Sequence, residues 1–213
     1  MTSVSIIDYG VGNLLSVARA FNFFGADVNI VNTPEEIMKA QRVVLPGVGA
    51  FKDGMNGLRE FGFIESIKSF AKTGKPFMGI CLGMQMMLTK SMEFGEYSGL
   101  DLISGEVVPI PSYGSDGIRI KIPHIGWNKL IPVDNGRVWD DSILKNTLLN
   151  SSVYFAHSFM AIPSHPSTRL ADTLYDGQII SSLIREGNIY GCQFHPEKSG
   201  TVGLGIVEQF LKI

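Results

Sequence analysis

A chain of 213 residues, of which 45% are hydrophobic and 18% charged, can bury a substantial core and is too apolar to stay disordered. The formal net charge of −2 argues against a nucleic-acid binder or an anionic-membrane binder, because both need an excess of basic residues. The two cysteines do not make a disulfide framework. No signal peptide and no apolar segment of about 20 residues is evident, so the sequence predicts a soluble, cytoplasmic protein with one domain over residues 1–213.

The chain up to Leu88 alternates short apolar runs with helix-like patterns. Thr33 as N-cap, Pro34 at the first helical position and Glu36 closing a capping box mark one helix start. Alternating strands and helices form right-handed parallel crossovers, so this half predicts an α/β fold, a doubly wound and mostly parallel sheet with helices on both faces. The predicted strands are 4–7, 27–32, 42–45 and 76–80, and the predicted helices are 14–21, one beginning after 33, 54–62, 63–72 and 82–88.

From Gly99 onward the long helical patterns disappear until the C-terminus. Residues 134–150 are ambiguous and are interpreted as a loop with a short helix. The remaining segments predict an antiparallel strand annex on the same domain. Short strands are predicted at 107–108, 118–122, 127–131, 153–159, 169–174, 178–184 and 189–194, with a turn at 186–188 and a final helix at 202–213.

Doubly wound sheets bind ligands beyond the carboxyl ends of their strands. Three predicted strand ends meet there, at residues 10–12, at residues 46–49 and at Cys81. The first of them, Gly-Val-Gly-Asn, lacks the third glycine of a dinucleotide fingerprint, so nucleotide binding is disfavoured.

The segment Gly79-Ile80-Cys81-Leu82-Gly83 has the form G-x-C-x-G, the cysteine counterpart of a nucleophile elbow. A thiol at a strand-to-helix turn lies beside a helix N-terminus, whose partial positive charge favours the thiolate. Small neighbours are needed because the backbone is pinched at such a turn. Taken alone, the motif is equally compatible with a buried and inert cysteine.

A second reactive segment, His195-Pro196-Glu197, follows a predicted strand near the C-terminus. A histidine can take a proton from a thiol and later give it to a leaving amine, and a nearby carboxylate can fix its tautomer. Alone, this segment is typical of an ordinary solvated loop. Together with Cys81 it favours a nucleophile–base pair, because such pairs are distant in sequence and close in space.

The motifs Gly79-Ile-Cys-Leu-Gly-Met-Gln85 and Gln193-Phe-His-Pro-Glu197, on a chain of this length, resemble those of the class I glutamine amidotransferases. Further similar stretches, in the order of that family, are 7–13 (IDYGVGN), 45–49 (LPGVG), 123–128 (PHIGWN), 154–158 (YFAHS) and 195–199 (HPEKS). They span almost the whole chain and are most similar to glutaminase subunits that pair with a (β/α)8-barrel cyclase of histidine biosynthesis, which makes imidazole glycerol phosphate and AICAR.

The resemblance implies hydrolysis of L-glutamine to glutamate and ammonia, with neither a metal nor a cofactor. It implies that Cys81 attacks the carboxamide carbon, that His195 acts as acid and then base, and that Glu197 orients His195. An oxyanion hole would consist of the backbone N–H groups of Leu82 and Val48. The family's glutamine-holding positions correspond to Gly49, Gln85, Glu93, Ser158 and Phe159, and the positions that face the cyclase in a heterodimer correspond to Asn13, Trp127 and Lys198.

Two alternatives remain at this point. A related glutaminase supplying ammonia for surface amino-sugar modification would carry the same motifs, and residues 111–117 and 158–160 show the least resemblance to the histidine-pathway form. An idle scaffold on the same fold is the second alternative, although it would be expected to lose the Cys81, His195 and Glu197 set. A dithiol redox protein is disfavoured because no C-x-x-C is present. Structural roles are predicted for His124, His157, His165 and Cys192.

Overall fold

The computed structural model describes residues 2–114, 117–133 and 139–213. Its strands are β1 Ser3–Ile7, β2 Asp27–Val31, β3 Val43–Leu45, β4 Phe77–Ile80, β5 Leu88–Ser91, β6 Tyr97–Ser98, β7 Ile103–Pro109, β8 His124–Lys129, β9 Ile131–Pro132, β10 Ser152–His157, β11 Phe159–Pro163, β12 Arg169–Tyr175, β13 Gln178–Glu186 and β14 Ile189–Cys192. Its α-helices are α1 Leu14–Asn22, α2 Pro34–Lys39, α3 Phe51–Glu60, α4 Phe63–Ala71, α5 Leu82–Met86 and α6 Gly200–Leu211.

The largest sheet has the strand order β2-β1-β3-β4-β14-β13-β12-β9. The first five strands in this order are parallel, and β13, β12 and β9 continue the sheet antiparallel. The predicted mostly parallel α/β sheet is confirmed. Because β1 lies between β2 and β3, the strand order reverses direction beside β1, and the β3, β4 and β14 ends share one edge.

Helices cover both faces of this sheet. Met78 and Ile80 of β4 pack with α1 and α6 in one core cluster, whereas Phe77 of the same strand packs with α2, α3 and α4 in the other. This two-residue alternation is the pleat of a strand that is buried on both faces, and it explains why the strand reads as a continuous apolar run. Within the described residues, no helix is long and apolar enough to cross a bilayer.

The predicted start of α2 is confirmed atom by atom. Thr33 Oγ1 accepts the N–H of Glu36 at 3.4 Å, and Glu36 Oε2 accepts the N–H of Thr33 at 3.1 Å. Two of the unpaired donors at the helix start are thereby satisfied by two side chains.

The annex is more varied than a simple antiparallel extension. Besides β13, β12 and β9, a mixed sheet has the order β11-β7-β5-β6, in which β5 and β7 run parallel, and β10 pairs with β8 in a separate antiparallel ribbon. The predicted hairpin is confirmed, since Glu186 of β13 pairs with Ile189 of β14. The predicted final helix corresponds to α6, which buries Val207, Phe210 and Leu211 and leaves Leu204 half-buried.

Three boundary predictions are wrong. The helix predicted to reach Leu88 ends at Met86, because the backbone carbonyls of Met86 and Met87 accept the N–H groups of Leu100 and Leu102 instead. The strand predicted at 153–159 breaks at Ser158, where the chain leaves the β8 ribbon and joins β7.

The strand predicted at 118–122 is reduced to a single bridge between Tyr113 and Arg119. Of the ambiguous segment, residues 134–138 lie outside the described part, and 139–150 form consecutive turns rather than a helix. In the least similar stretch, 111–117, residues 115 and 116 also lie outside it.

Candidate active site

Cys81 occupies a strained turn between β4 and α5. Its φ is 53° and its ψ is −109°, a sparsely populated region for a residue with a side chain. A Cβ at Gly79 would lie 2.8 Å from the carbonyl carbon of Gly83, and a Cβ at Gly83 would overlap the carbonyl oxygen of Leu45. The two glycines are therefore required by close backbone approach, which is the geometry that the G-x-C-x-G pattern predicts.

His195 and Glu197 lie beside this turn, just beyond the end of β14. The Nδ1–H of His195 donates to Glu197 Oε1 at 2.8 Å, and both side chains are buried. The His195 backbone is fixed as well, because its N–H donates to the Tyr154 carbonyl at 2.9 Å and its carbonyl accepts the Ser199 hydroxyl at 2.6 Å. The structure thus brings Cys81, His195 and Glu197 together and holds both the ring and the backbone of His195 in place.

The electrostatics of this group favour a protonated imidazole. Burial alone would lower the pKa of His195, but hydrogen bonds and charge from Cys81 and Glu197 outweigh it and raise that pKa to about 9. The neighbouring Tyr9 responds in the expected sense, since burial and the Cys81 charge raise its pKa. A thiolate–imidazolium pair held by a carboxylate is the arrangement of an activated cysteine nucleophile.

The loop after β3 packs directly on the start of α5. The Tyr9 hydroxyl donates to the Pro46 carbonyl at 2.8 Å, and a Cβ at Gly47 would lie 2.9 Å from the Gly83 nitrogen. Val48, one of the predicted oxyanion donors, lies next in the loop and is 41% exposed. Leu82, the other, is the first residue of α5. Both flank the same cavity as Cys81.

A cavity of about 660 Å³ opens over the thiol. Cys81 and His195 line this cavity. So do all five residues predicted to hold a substrate, which are Gly49, Gln85, Glu93, Ser158 and Phe159. Five positions from four separate parts of the chain therefore converge on one cavity.

Glu93 is a buried carboxylate that lines this cavity. Its Oε2 accepts the Phe51 N–H at 2.6 Å, where α3 begins without a side-chain cap of its own. Burial raises the pKa of Glu93, the Phe51 hydrogen bond opposes the rise and the Asp53 charge adds to it. Among the described residues, no cation pairs with Glu93. A ligand ammonium group in the cavity would complete this site.

The sequence matches the class I glutamine amidotransferase family over residues 5–213. The chain belongs to the class I glutamine amidotransferase family. It is 69% identical over 213 residues, covering all of both chains, to a Legionella pneumophila (strain Paris) protein named imidazole glycerol phosphate synthase subunit HisH 1. It is 39% identical, over 100% of this chain and 97% of the relative, to imidazole glycerol phosphate synthase subunit HisH of Geobacillus thermodenitrificans.

Solved structures agree on the fold of this amidotransferase. A crystal structure titled glutamine amidotransferase superposes with a TM-score of 0.72 at 16% identity, covering 98% of this chain and 97% of that one. PurLQS from Thermotoga maritima superposes with a TM-score of 0.70 at 20% identity, covering 99% and 97%. These identities support the shared architecture alone.

Three polar residues of the amidotransferase site have no functional role that the sequence motifs predict. Gln193 is fully buried, and its Nε2 lies 3.9 Å from Cys81 Sγ. His157 lines the cavity, and His124 lies behind it with Nδ1 2.9 Å from His157 Nε2. The sequence signal for the location of Gln193 is its position two residues before His195. Side chains alternate along an extended segment, and Cys192 and Phe194 face the core, so Gln193 and His195 both face the thiol.

The three predicted partner-facing residues lie at the surface of this amidotransferase. Trp127 is 58% exposed, which excludes a core role, and Lys198 is exposed at the cavity. Asn13 is exposed and also caps α1, accepting the Ser16 N–H at 3.3 Å. In the described ranges, no group of three or more His, Cys, Asp or Glu residues is arranged to hold a metal ion.

Proposed function

We propose that this chain is a glutaminase subunit that hydrolyses L-glutamine and passes the ammonia to a (β/α)8-barrel cyclase, which makes imidazole glycerol phosphate and AICAR in histidine biosynthesis. The observation that carries the proposal is the assembly of Cys81, His195 and Glu197 at a cavity that is also lined by the buried Glu93 carboxylate. The similarity to HisH subunits over the full length of both chains supports the pathway.

The first half-reaction uses the imidazolium. The Cys81 thiolate attacks the carboxamide carbon of glutamine, and the carbonyl oxygen becomes an oxyanion that the N–H groups of Leu82 and Val48 stabilise. His195, whose pKa is raised to about 9, gives its proton to the departing nitrogen, so that ammonia leaves and a thioester remains.

The second half-reaction returns the proton. His195, now neutral, takes a proton from a water molecule, which attacks the thioester carbon through a second oxyanion. Collapse of that intermediate releases glutamate and regenerates the Cys81 thiolate beside the His195 imidazolium. Glu197 keeps Nδ1 of His195 protonated throughout, so Nε2 is the atom that exchanges protons.

Substrate recognition follows from the charges of the cavity. The Glu93 carboxylate binds the α-ammonium group, and backbone groups of Gly49, Ser158 and Phe159 together with Gln85 hold the rest of the amino acid. Binding an ammonium group relieves the burial of an unpaired carboxylate, so the site favours a zwitterionic amino acid over a neutral amide.

The cavity mouth supports a protein partner. Val48, Ile122 and Ile125 are exposed apolar residues that line the cavity, and Trp127 lies on the same strand as Ile125. Exposed apolar residues around a reactive cavity mark a surface that another protein covers, and tryptophan is a common anchor of such surfaces. With Asn13 and Lys198, this surface is the proposed docking face of the cyclase.

The decisive experiment compares two nitrogen sources. The chain is assembled with the (β/α)8-barrel cyclase of the same organism and given the cyclase substrate with either L-glutamine or ammonium chloride. We expect product from both sources with the unchanged chain, and from ammonium chloride alone with Cys81→Ala, because only glutamine hydrolysis needs the thiol. Cys192→Ala is the matched control and should keep both activities, since that thiol is fully buried in the core.

Each other outcome contradicts a separate part of the proposal. Glutamine-dependent product from Cys81→Ala would refute the nucleophile. Glutamate release without any histidine-pathway product would refute the acceptor and favour another ammonia acceptor, such as an amino sugar. Absence of glutamate release from the unchanged complex would indicate an idle scaffold.

A further inference from the structure

A series of buried polar contacts starts at the Cys81 thiol and leads away from His195 and Glu197. Gln193 Nε2 lies 3.9 Å from Cys81 Sγ, and Gln193 Oε1 lies 3.0 Å from Gln85 Nε2. Gln85 Nε2 also lies 3.0 Å from the Phe159 carbonyl oxygen, which His157 Nδ1 approaches at 2.8 Å. All of these side chains are at least nine-tenths buried.

The Phe159 carbonyl fixes the direction of every hydrogen bond in this series of contacts. A carbonyl oxygen only accepts, so the group of Gln85 that faces it must be the NH₂ group. Gln85 then donates its second hydrogen to Gln193, whose facing atom must be its oxygen. The NH₂ group of Gln193 is therefore the end that faces Cys81 Sγ, and the alternative amide orientation is excluded.

The same carbonyl fixes the histidine tautomers. His157 Nδ1 must carry a hydrogen to donate to Phe159, and burial lowers the pKa of His157 to about 3, so its Nε2 is bare. His124 Nδ1 then donates to that nitrogen. Gln85 and His157 thus both donate hydrogen bonds to the Phe159 carbonyl oxygen. This arrangement holds Gln85, and through it Gln193, in a single orientation.

We propose that Gln193 is a further catalytic residue of the glutaminase, donating a hydrogen bond from Nε2 to Cys81 Sγ and so stabilising the thiolate that attacks glutamine. This inference rests on the proposed function for its consequence in turnover. The thiol has a choice of partners at rest, because Sγ also lies 3.8 Å from the Ala156 carbonyl, which can only accept its proton. Gln193 favours the charged form and Ala156 the neutral form.

Four titratable groups around this sulfur come from three elements. Tyr9 follows β1, His195 and Glu197 follow β14, and His157 ends β10. Apart from His195, these groups add no cation at neutral pH, since Tyr9 and His157 are held neutral by burial. Glu93 and Lys198 also line the cavity, and Lys198, the other cation there, is exposed to solvent that screens its charge. A buried hydrogen-bond donor with a fixed orientation is therefore a substantial addition to the His195 imidazolium.

The test measures the pH dependence of alkylation of Cys81 by iodoacetamide in the whole chain, because iodoacetamide reacts with the thiolate. Gln193→Met keeps the length and packing of the side chain and removes the donor. We expect the midpoint of the alkylation profile to move up by about one pH unit, with kcat for glutamine hydrolysis falling about tenfold at neutral pH and KM nearly unchanged. Cys81→Ala reports any background from Cys192, which is fully buried.

Gln209→Met is the matched control. Gln209 is also buried, on α6, and its Nε2 lacks a hydrogen-bond partner in the described structure, so the control removes an equivalent amide away from the thiol. It should leave the midpoint and kcat unchanged. If Gln193→Met does not fold, Gln193→Asn withdraws the donor from Sγ while keeping an amide, and the same upward shift is expected.

Two results would overturn the inference. The first is an unchanged midpoint in folded Gln193→Met or Gln193→Asn protein, and the second is an equal shift in Gln209→Met. Because alkylation needs neither glutamine nor the cyclase, these results are distinguishable from failure of the proposed function, which would appear as absence of turnover in the unchanged chain.

Discussion

His195 and the His157–His124 pair are two buried histidine sites at the same cavity, and they differ in charge state. His195 is 4% exposed, and its pKa is raised to about 9. His157 and His124 are 6% and 2% exposed, and burial lowers their pKa values to about 3 and about 4. The histidines are buried to a similar extent, so burial does not explain their different charge states. The difference comes from the groups that each imidazole contacts.

The partners differ in one respect that decides the chemistry. Glu197 and Cys81 offer negative charge to His195, whereas His157 faces a neutral carbonyl and a second histidine. His124 is stacked between Phe155 and Tyr175, with ring centroids 4.6 Å and 3.9 Å away, which leaves it little contact with water. The His195 site can therefore gain and lose a proton, whereas the hydrogens of His157 and His124 stay on fixed nitrogen atoms.

The largest expected effect comes from making the first site resemble the second. Glu197→Gln keeps an oxygen that accepts the His195 Nδ1–H but removes the charge, so the pKa of His195 should fall well below 9. Glutamine hydrolysis should then fall roughly 10³-fold, because the imidazolium that protonates the leaving group is no longer favoured. NMR titration of the four histidine rings would measure the pKa, and a midpoint that stayed near 9 would contradict the comparison.

An intermediate effect is expected from removing a donor at the second site. His124→Phe preserves the stack on Phe155 and Tyr175 but leaves His157 Nε2 without its donor. The free energy of unfolding should drop by about 1–3 kcal/mol at pH 7, measured by urea denaturation, with the titration of His195 unchanged. His165→Phe, at an exposed position, is the control and should change stability by less than about 0.5 kcal/mol.

The smallest effect is on the pH dependence of stability, and it has opposite signs at the two sites. His195 has a raised pKa in the fold, so its contribution is complete below about pH 6.5 and is lost as the pH rises through about 9. His157 and His124 have lowered pKa values, so their contribution is complete above about pH 6.5 and is lost as the pH falls through about 4 and then 3.

Each histidine can change the slope by at most about 1.4 kcal/mol per pH unit, because it binds one proton. Urea denaturation across this pH range should show Glu197→Gln flattening the alkaline limb and His124→Phe flattening the acid limb. An alkaline limb that remained steep in Glu197→Gln would show that the coupling belongs to another group.

Local interactions made much of the fold predictable from sequence. The Thr33 capping box, the hairpin after Glu186 and the glycines around Cys81 each specify their own few residues, and the structure has each of them as predicted. The wrong boundaries depend on distant partners. Nothing near Leu88 indicates that the carbonyls before it bind residues 100–103. Likewise, nothing near Ser158 indicates that the chain changes sheets there.

The candidate site divides in the same way. Cys81, His195 and Glu197 could be identified as candidates from the sequence because each has a reactive group in a recognisable motif. The position of Gln193 beside His195 was a signal for its location but not for its role, since an amide has no distinctive chemistry until its orientation is known. That orientation is set, through Gln85, by the carbonyl of Phe159, which is distant in the sequence. Structural roles were predicted for His124 and His157, but the direction of their hydrogen bonds depends on the same distant carbonyl.

Glu93 has a consequence for how this protein can change during evolution. The same carboxylate caps α3 through the Phe51 N–H and presents the negative wall of the cavity. Under the proposed function, a substitution at Glu93 that changes the preference for substrate also disturbs α3, the helix that follows the Val48 loop. Because Glu93 has both roles, only side chains that keep an oxygen near the Phe51 N–H can replace it without loss of stability. A change of substrate specificity at this position therefore requires other substitutions that first stabilise the helix.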